Sequence, residues 1–283
     1  MDVIESVAEM RLWSSDALKK GERIVLVPTM GFLHDGHREL LRTGKKAAMG
    51  GRLVLSVFVN PAQFGPTEDY DKYPRDAGRD LSVAGQEGVD AVFMPKAEDM
   101  YPPGYETYVE VEGLSGRLCG RSRPGHFRGV ATVVLKLFNA VKPHAAVFGK
   151  KDYQQLSIIK KMVKDLDLDI EIIGVETVRE RDGVAVSSRN SYLGAEERRA
   201  AACVPRALDE AEAGFGVGAR IAAEIVESMK KIIEKEPLAV IEYIEVVDPD
   251  TLESLSRVTG GALVAVAVRI GKARLIDNRV LKP

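Results

Sequence analysis

Short, β-branched apolar runs alternate with longer helical patterns over residues 1–176. The first run, Ile24-Val25-Leu26-Val27, is bounded by a charge and a proline and reads as a buried parallel strand. Beyond it, Leu40 and Leu41 begin an apolar helical face that Ala47 and Ala48 continue. The apolar stretch at 52–59 predicts a second strand, ending at Asn60-Pro61, followed by a helix over 75–87 and a third strand over 90–95. Residues 107–111 read as a short strand at the edge of the sheet. A buried helix over 130–141, a strand over 145–149, a helix over 152–164 and a strand over 170–175 complete the series. Repeated β-α-β alternation implies an α/β fold, a Rossmann-like doubly wound parallel sheet with right-handed crossovers. Ligands in such sheets gather at the carboxyl ends of the strands.

The pattern changes after residue 176. Asp182-Gly183, between Val178 and Val184-Ala185-Val186, reads as a hairpin turn. Two helical patterns follow, over 195–214 and 218–235, then apolar strands over 241–247, 262–267 and 273–276. Successive strands without intervening helices predict an antiparallel unit. Residues 177–283 are therefore expected to form a second, smaller α+β C-terminal domain acting as a lid on a nucleotide-binding domain over 1–176.

Bulk composition narrows the classes of function. The 283 residues are 45% apolar with a net charge of −2, which supplies a sizeable core and argues against non-specific attraction to nucleic acid or membrane. Met1-Asp2-Val3-Ile4-Glu5 lacks the basic start and apolar core of a signal peptide, and no apolar run has the length to span a bilayer. Cys119 and Cys203 form no Cys-x-x-Cys pair, which suits a reducing compartment and makes the cytoplasm the default location.

The decisive chemistry lies in Pro28-Thr29-Met30-Gly31-Phe32-Leu33-His34-Asp35-Gly36-His37. A strand stops, the chain turns through Gly31 and Gly36, and a helix starts at or near His37. Helix N-termini carry free N–H groups and the positive end of the macrodipole, so they suit phosphate. His34 and His37 aim two imidazoles at the same anion, and that environment disfavours imidazolium. The competing readings are a surface turn that carries histidine by chance, or half of a metal site. The other histidines are only His126 and His144, and both cysteines lie far off in sequence, so no metal is expected.

Each other polar feature follows a predicted strand. Gln63, in Asn60-Pro61-Ala62-Gln63-Phe64, offers a donor and an acceptor to a neutral polar group. The charged stretch 68–75 reads as a loop with a helix start at Pro74. In Gly149-Lys150-Lys151-Asp152-Tyr153-Gln154-Gln155, Gly149 permits close approach and Lys151 can neutralise a phosphate. Asp152 either accepts from a ribose hydroxyl or caps the helix, and Gln155 lies one turn on. Val186-Ser187-Ser188-Arg189 sets two hydroxyls beside a guanidinium, a combination that can grip phosphate oxygens or simply close a loop. Arg117, Arg121, Arg123, His126 and Arg128, interleaved with glycines, read as a mobile lid over anionic substrates in preference to a nucleic-acid patch.

Taken together, these segments resemble the pantothenate synthetase (pantoate–β-alanine ligase) family. The matching stretches are PTMGFLHDGH at 28–37, FVNPAQFGP at 58–66, EDYDKYPR at 68–75, RPGHFRGVATVV at 123–134, FGKKDYQQL at 148–156 and VSSRN at 186–190. The His34-x-x-His37 signature is shared with a wider group of nucleotidyltransferases and class I aminoacyl-tRNA synthetases. Where those synthetases carry a lysine-rich loop, this chain has Ser187-Ser188-Arg189.

The resemblance implies that pantoate attacks the α-phosphorus of Mg2+-ATP to give pantoyl adenylate and pyrophosphate, and that β-alanine then displaces AMP. By the same resemblance His34, His37, Lys151, Ser187, Ser188 and Arg189 cradle the triphosphate, with His37 as proton donor. Met30, Gly149, Asp152 and Val178 correspond to adenosine contacts, and the ATP site also runs through Gly31, Phe32, Leu33, Asp35, Gly36, Lys150 and Val186. Gln63 and Gln155 would hold the hydroxyls and carboxylate of pantoate. Pro28, Val133, Val134 and Phe148 would pack its gem-dimethyl group, beside Met30. The resemblance also implies a homodimer, with ATP and the two small acids as its only ligands. Two alternatives stay open at this point: another nucleotidyltransferase of the same group acting on a phosphorylated acceptor, and a nucleotide-binding regulator without turnover.

Overall fold

The computed structural model describes residues 1–66 and 68–282. The chain begins β1 (Asp2–Ile4), α1 (Val7–Lys19), β2 (Ile24–Thr29), α2 (Asp35–Ala47), β3 (Arg52–Val57), α3 (Ala77–Gln86), β4 (Ala91–Phe93) and α4 (Ala97–Met100). It continues α5 (Cys119–Ser122), α6 (His126–Val141), β5 (Ala145–Gly149), α7 (Tyr153–Asp165) and β6 (Glu171–Val175). Then come α8 (Ala195–Ala200), α9 (Cys203–Gly216), α10 (Ala222–Ile233), β7 (Ala239–Val247), β8 (Ala262–Ile270) and β9 (Ala273–Leu281). Two compact units result. One comprises Met1–Ser115, Arg123–Lys150 and Gln155–Glu176, and the other Gly116–Ser122, Lys151–Gln154 and the chain from Thr177 onward.

The first unit is a six-stranded sheet in the order β1-β4-β3-β2-β5-β6, with every pairing parallel. Strands buried on both faces need apolar side chains at every position, which is why Ile24–Val27 and Leu53–Leu55 carry no polar residue and are fully buried. Alternate residues serve opposite layers. Val25, Val27, Leu53 and Leu55 share a core with Leu41 and Ala48 near α2 and with Val83 and Ala84 of α3, while α1 and α6 pack against each other and against β2. Helices thus cover both faces, as the Rossmann-like reading requires. The strand order reverses between β2 and β5, since the chain proceeds from β2 to β3 and β4 in one direction and from β5 to β6 in the other. That switch point is where doubly wound sheets bind ligands.

The second unit holds the antiparallel sheet β7-β8-β9. Leu208 of α9 and Ile225, Met229 and Ile233 of α10 share a core with Val264, Val266 and Val268 of β8.

Several local expectations are corrected. Residues 107–111 form no strand: the Val109 N–H bonds to Thr132 Oγ1 at 2.9 Å, so the segment is tied to a helix side chain. The edge strand next to β4 is instead Asp2–Ile4. The helical pattern at 195–214 breaks into α8 and α9, because Pro205 has no N–H to continue a helix arriving from residue 201 and sits in the first turn of a new one. The helix expected from Pro74 starts at Ala77, where the Asp76 side chain accepts from Arg79 N. Helix α2 starts at Asp35, two residues before His37, with His34 as its N-cap.

Candidate active site

The turn after β2 is built from outside as much as from within. Gly31 has φ +81°, and a Cβ there would lie 2.7 Å from Asp80 Oδ2 and 2.9 Å from Val57 Cγ1. Phe32 also has positive φ, 52°, a strained conformation for a residue with a side chain. Its cost is met by Asp80 of α3, whose buried carboxylate accepts from Phe32 N at 2.9 Å and Leu33 N at 2.7 Å. Burial pushes the Asp80 carboxyl above its ordinary value, and the two N–H groups offset only part of that rise. Gly31 N donates to Thr29 Oγ1 at 3.2 Å, and His34 N donates to His37 Nδ1 at 3.2 Å. Four N–H groups that this turn could have aimed at an anion, those of residues 31–34, are therefore committed inside the chain.

The two imidazoles lie together at this turn, both half-buried. The rings of His34 and His37 stack with centroids 3.9 Å apart. Because His37 Nδ1 accepts a main-chain N–H, a neutral His37 carries its proton on Nε2 and can donate from there.

Gln63 lies in a one-turn 3₁₀ helix, Pro61–Gln63, after β3, and is buried. Its Nε2 is 3.3 Å from Met30 Sδ, so the structure brings these two predicted residues together. Its Oε1 accepts from Asn60 Nδ2 at 2.9 Å. The Gln63 carbonyl is held by His126 Nδ1 at 2.8 Å, and His126 Nε2 lies 3.0 Å from Arg123 Nη1. Arginine can only donate, so His126 accepts at Nε2 and donates from Nδ1. Arg123 in turn grips Glu68 through Nε at 2.6 Å and Nη2 at 2.7 Å. Burial acts to raise the Glu68 carboxyl, but the guanidinium outweighs it and holds the group below its ordinary value. Asn60, Glu68, Tyr101 and Asp80, which sequence reasoning did not single out, are the side chains that hold these two turns in place.

The expected apolar wall is drawn from three elements of the first unit. Pro28 lies near the carboxyl end of β2, Val133 and Val134 are buried in α6, and Phe148 is buried near the end of β5. Gly149 ends β5, Lys150 follows in a 3₁₀ turn paired with Glu176, and Gln155 is half-buried in the first turn of α7.

The remaining predicted residues belong to the second unit. Lys151 Nζ lies 3.8 Å from Asp152 Oδ2, and the Lys151 carbonyl accepts from Asn278 Nδ2 at 2.9 Å. Val178 and Val186 pair across the hairpin, with Val186 N donating to Val178 O at 3.0 Å. Ser187 Oγ accepts from Arg189 N at 3.3 Å, and Ser188 is buried. Lys151 and Ser187 line one small cleft with Asn190 and Asp277, the last bonded through both carboxylate oxygens to Arg179 at 2.6 and 3.0 Å. The basic stretch expected as a lid is tied down within each unit: Arg117 pairs with Glu253, Arg121 with Glu245 and Arg123 with Glu68, while Arg128 stacks on Tyr108 at 4.1 Å.

Comparison with known proteins decides the family. A family model described as pantoate-beta-alanine ligase matches residues 2–280. The chain belongs to that family. It is 54% identical over 281 residues to pantothenate synthetase of Pelotomaculum thermopropionicum, covering 99% of both chains, and 52% identical to that of Geobacter sulfurreducens, again over 99% of both. Among solved structures it is similar to pantothenate synthetase of Thermus thermophilus, with a TM-score of 0.94, 44% identity and full coverage of both chains. Pantoate-beta-alanine ligase of Francisella tularensis, solved in complex with beta-gamma ATP and β-alanine, gives a TM-score of 0.81 at 32% identity, covering 99% of this chain and 97% of that one. These relatives support the ligase reading, and neither alternative gains support from them.

Proposed function

We propose that this chain joins pantoate to β-alanine through a pantoyl adenylate, with Mg2+-ATP as the nucleotide substrate. Family membership makes it an ATP-dependent ligase that forms an amide bond. In the first step a pantoate carboxylate oxygen bonds to the α-phosphorus as the bond to the bridging oxygen breaks, and pyrophosphate leaves. In the second, the β-alanine amine bonds to the acyl carbon, the acyl–phosphate bond breaks, and AMP leaves while the nitrogen loses a proton to solvent. The first step brings two anions together, so neutralising charge and fixing position are what the protein must supply.

One observation carries the assignment of roles: His37 Nδ1 accepts a main-chain N–H at the start of α2, so a neutral His37 holds its proton on Nε2. A donor held in one tautomer needs no reorganisation as charge develops on the phosphates. His37 therefore serves as a hydrogen-bond donor to the phosphates, the role of donor that the family resemblance gives it, with the His34 ring stacked against it. Lys151, Ser187, Ser188 and Arg189 serve the phosphates as cations and hydroxyl donors. Met30, Gly31, Phe32, Leu33, Asp35, Gly36, Gly149, Lys150, Asp152, Val178 and Val186 serve the nucleotide, and Gln63, Gln155, Pro28, Val133, Val134 and Phe148 the acid. A small branched acid wants an apolar wall with two fixed amides, and the buried Val133, Val134 and Phe148 have that character. The free thiols Cys119 and Cys203 suit cytoplasmic residence, and the family resemblance favours a homodimer.

The test is product analysis. ATP, pantoate and β-alanine should yield AMP and pyrophosphate in equal amounts, with pyrophosphate formed from ATP and pantoate alone up to one equivalent per site. ADP and orthophosphate would mean an acyl phosphate and overturn the adenylate.

A further inference from the structure

The Asn60 side chain is saturated, and its partners leave no freedom in how its amide is turned. Ala62 N, which can only donate, lies 3.2 Å from Oδ1, and the Gly129 carbonyl, which can only accept, lies 3.1 Å from Nδ2. Those two main-chain groups fix the oxygen and nitrogen ends. Two consequences follow at the remaining positions. Tyr101 Oη, 2.8 Å from Oδ1, must be donating its proton, and the Gln63 atom 2.9 Å from Nδ2 must be its oxygen. Gln63 is thereby held with Oε1 turned inward to Asn60 and Nε2 turned toward Met30.

We propose that Tyr101 is a positioning residue for the acid substrate: its donated hydrogen bond steadies the Asn60 amide in the orientation the two main-chain groups set, and so secures the Gln63 amide with its N–H donor, not its carbonyl, toward the acid. The inference rests on Gln63 lying in the pantoate pocket and adds the polarity of that contact. A donor suits a carboxylate or the lone pair of a hydroxyl, whereas a carbonyl turned outward would repel the same anion. Tyr101 is equipped for the task. Burial, with the neighbouring Tyr105 and Tyr108 adding to it, pushes its phenol well above the ordinary range, so the proton it donates is always present. Its ring is fixed by the edge of Tyr105 at 5.1 Å, by Phe58 at 6.4 Å and by the Lys136 ammonium at 5.6 Å. Tyr101→Phe removes the donor and keeps that packing.

Steady-state kinetics of Tyr101→Phe, Gln63→Ala and the double variant tests the relay. Tyr101→Phe should raise the pantoate KM about five-fold, the weight of one neutral hydrogen bond, with the ATP KM unchanged. In the Gln63→Ala background the same substitution should add nothing, because the group it orients is gone. An equal rise in both backgrounds overturns the relay, since Tyr101 would then act on the pocket as a whole. A clear loss in Gln63→Ala with an unaltered Tyr101→Phe also overturns it, while leaving Gln63 in the pocket. Unaltered pantoate kinetics in Gln63→Ala would overturn the placement of Gln63 and the relay with it. Thermal midpoints of all three variants show whether folding contributes.

Discussion

Asp80 holds Leu33: its Oδ1 accepts the Leu33 N–H at 2.7 Å while Oδ2 takes that of Phe32, so a carboxylate from a distant helix sets the shape of the turn after β2. Asparagine cannot do this, since one of its two ends would present a donor to a donor. Asp80→Asn should cost about 1–3 kcal/mol of stability, the range for a buried donor left unpaired, and, with Phe32 and Leu33 in the nucleotide site as proposed, should raise the ATP KM. Urea midpoints and ATP kinetics measured together check this. Wild-type values in both would show that the turn keeps its shape without the carboxylate.

How far the sequence carries the fold can be judged on this turn and its neighbours. The sheet was legible because strands buried on both faces leave uninterrupted apolar runs, as in Ile24–Val27 and Leu53–Leu55. The first strand and helix were not. Asp2–Ile4 is three residues long, and α1 buries only Met10, Ser14 and Ala17, a stripe that a serine interrupts. The strand expected at 107–111 has the right composition, but its backbone bonds to Thr132, a tertiary choice no local pattern encodes. At the candidate site, residues clustered in motif-like stretches stood out. Asp80 and Tyr101 did not, because each acts through a partner 41 or more positions away, and sequence spacing says nothing about such contacts.

Glu68 and Arg123 predict a pH signature. The folded-state carboxyl of Glu68 lies below its ordinary 4.5, so the stability it contributes is present above pH 4.5 and is lost as pH falls through the lowered value. Asp80 works in the opposite sense: its raised carboxyl takes stability away as pH climbs from the ordinary 3.8 through the raised value. Glu68→Gln should therefore be less stable than wild type by about 2 kcal/mol at neutral pH, and the gap should close at acid pH. Urea melts across that range give the comparison, and a gap independent of pH would sink the charge argument.

Gly129 is where α6 touches the 61–63 turn. A Cβ there would overlap the Ala62 carbonyl and sit 2.7 Å from Gln63 Cα, so no side chain fits without moving the backbone that carries Gln63. Gly129→Ala should cost about 1–3 kcal/mol by overpacking and raise the pantoate KM while leaving the ATP KM near wild type. Parallel thermal melts and substrate titrations decide it. Normal pantoate kinetics in a destabilised protein would mean that the turn relaxes without disturbing the acid pocket.

His37 and Gln63 should fail in different ways, and the difference tests the division of labour between nucleotide and acid. In the proposed roles, a neutral His37 offers Nε2–H to charge that grows during adenylate formation, since its Nδ1 accepts the His34 N–H. A donor of that kind works chiefly in the transition state, so His37→Ala should lower kcat by ~10²–10³ with little change in the pantoate KM. Lys151→Ala should follow the same course, since a cation on the phosphates meets its greatest charge as pyrophosphate departs. Gln63→Ala, in the proposed pocket, removes a ground-state contact to the acid, and should weaken pantoate by roughly 1–3 kcal/mol while ATP alone binds as before. Calorimetric titrations of ATP and pantoate, set beside single-turnover rates, separate the two patterns. If pantoate binding collapses in His37→Ala while turnover at saturation survives, the imidazole belongs to the acid pocket and its role as donor to the phosphates is wrong.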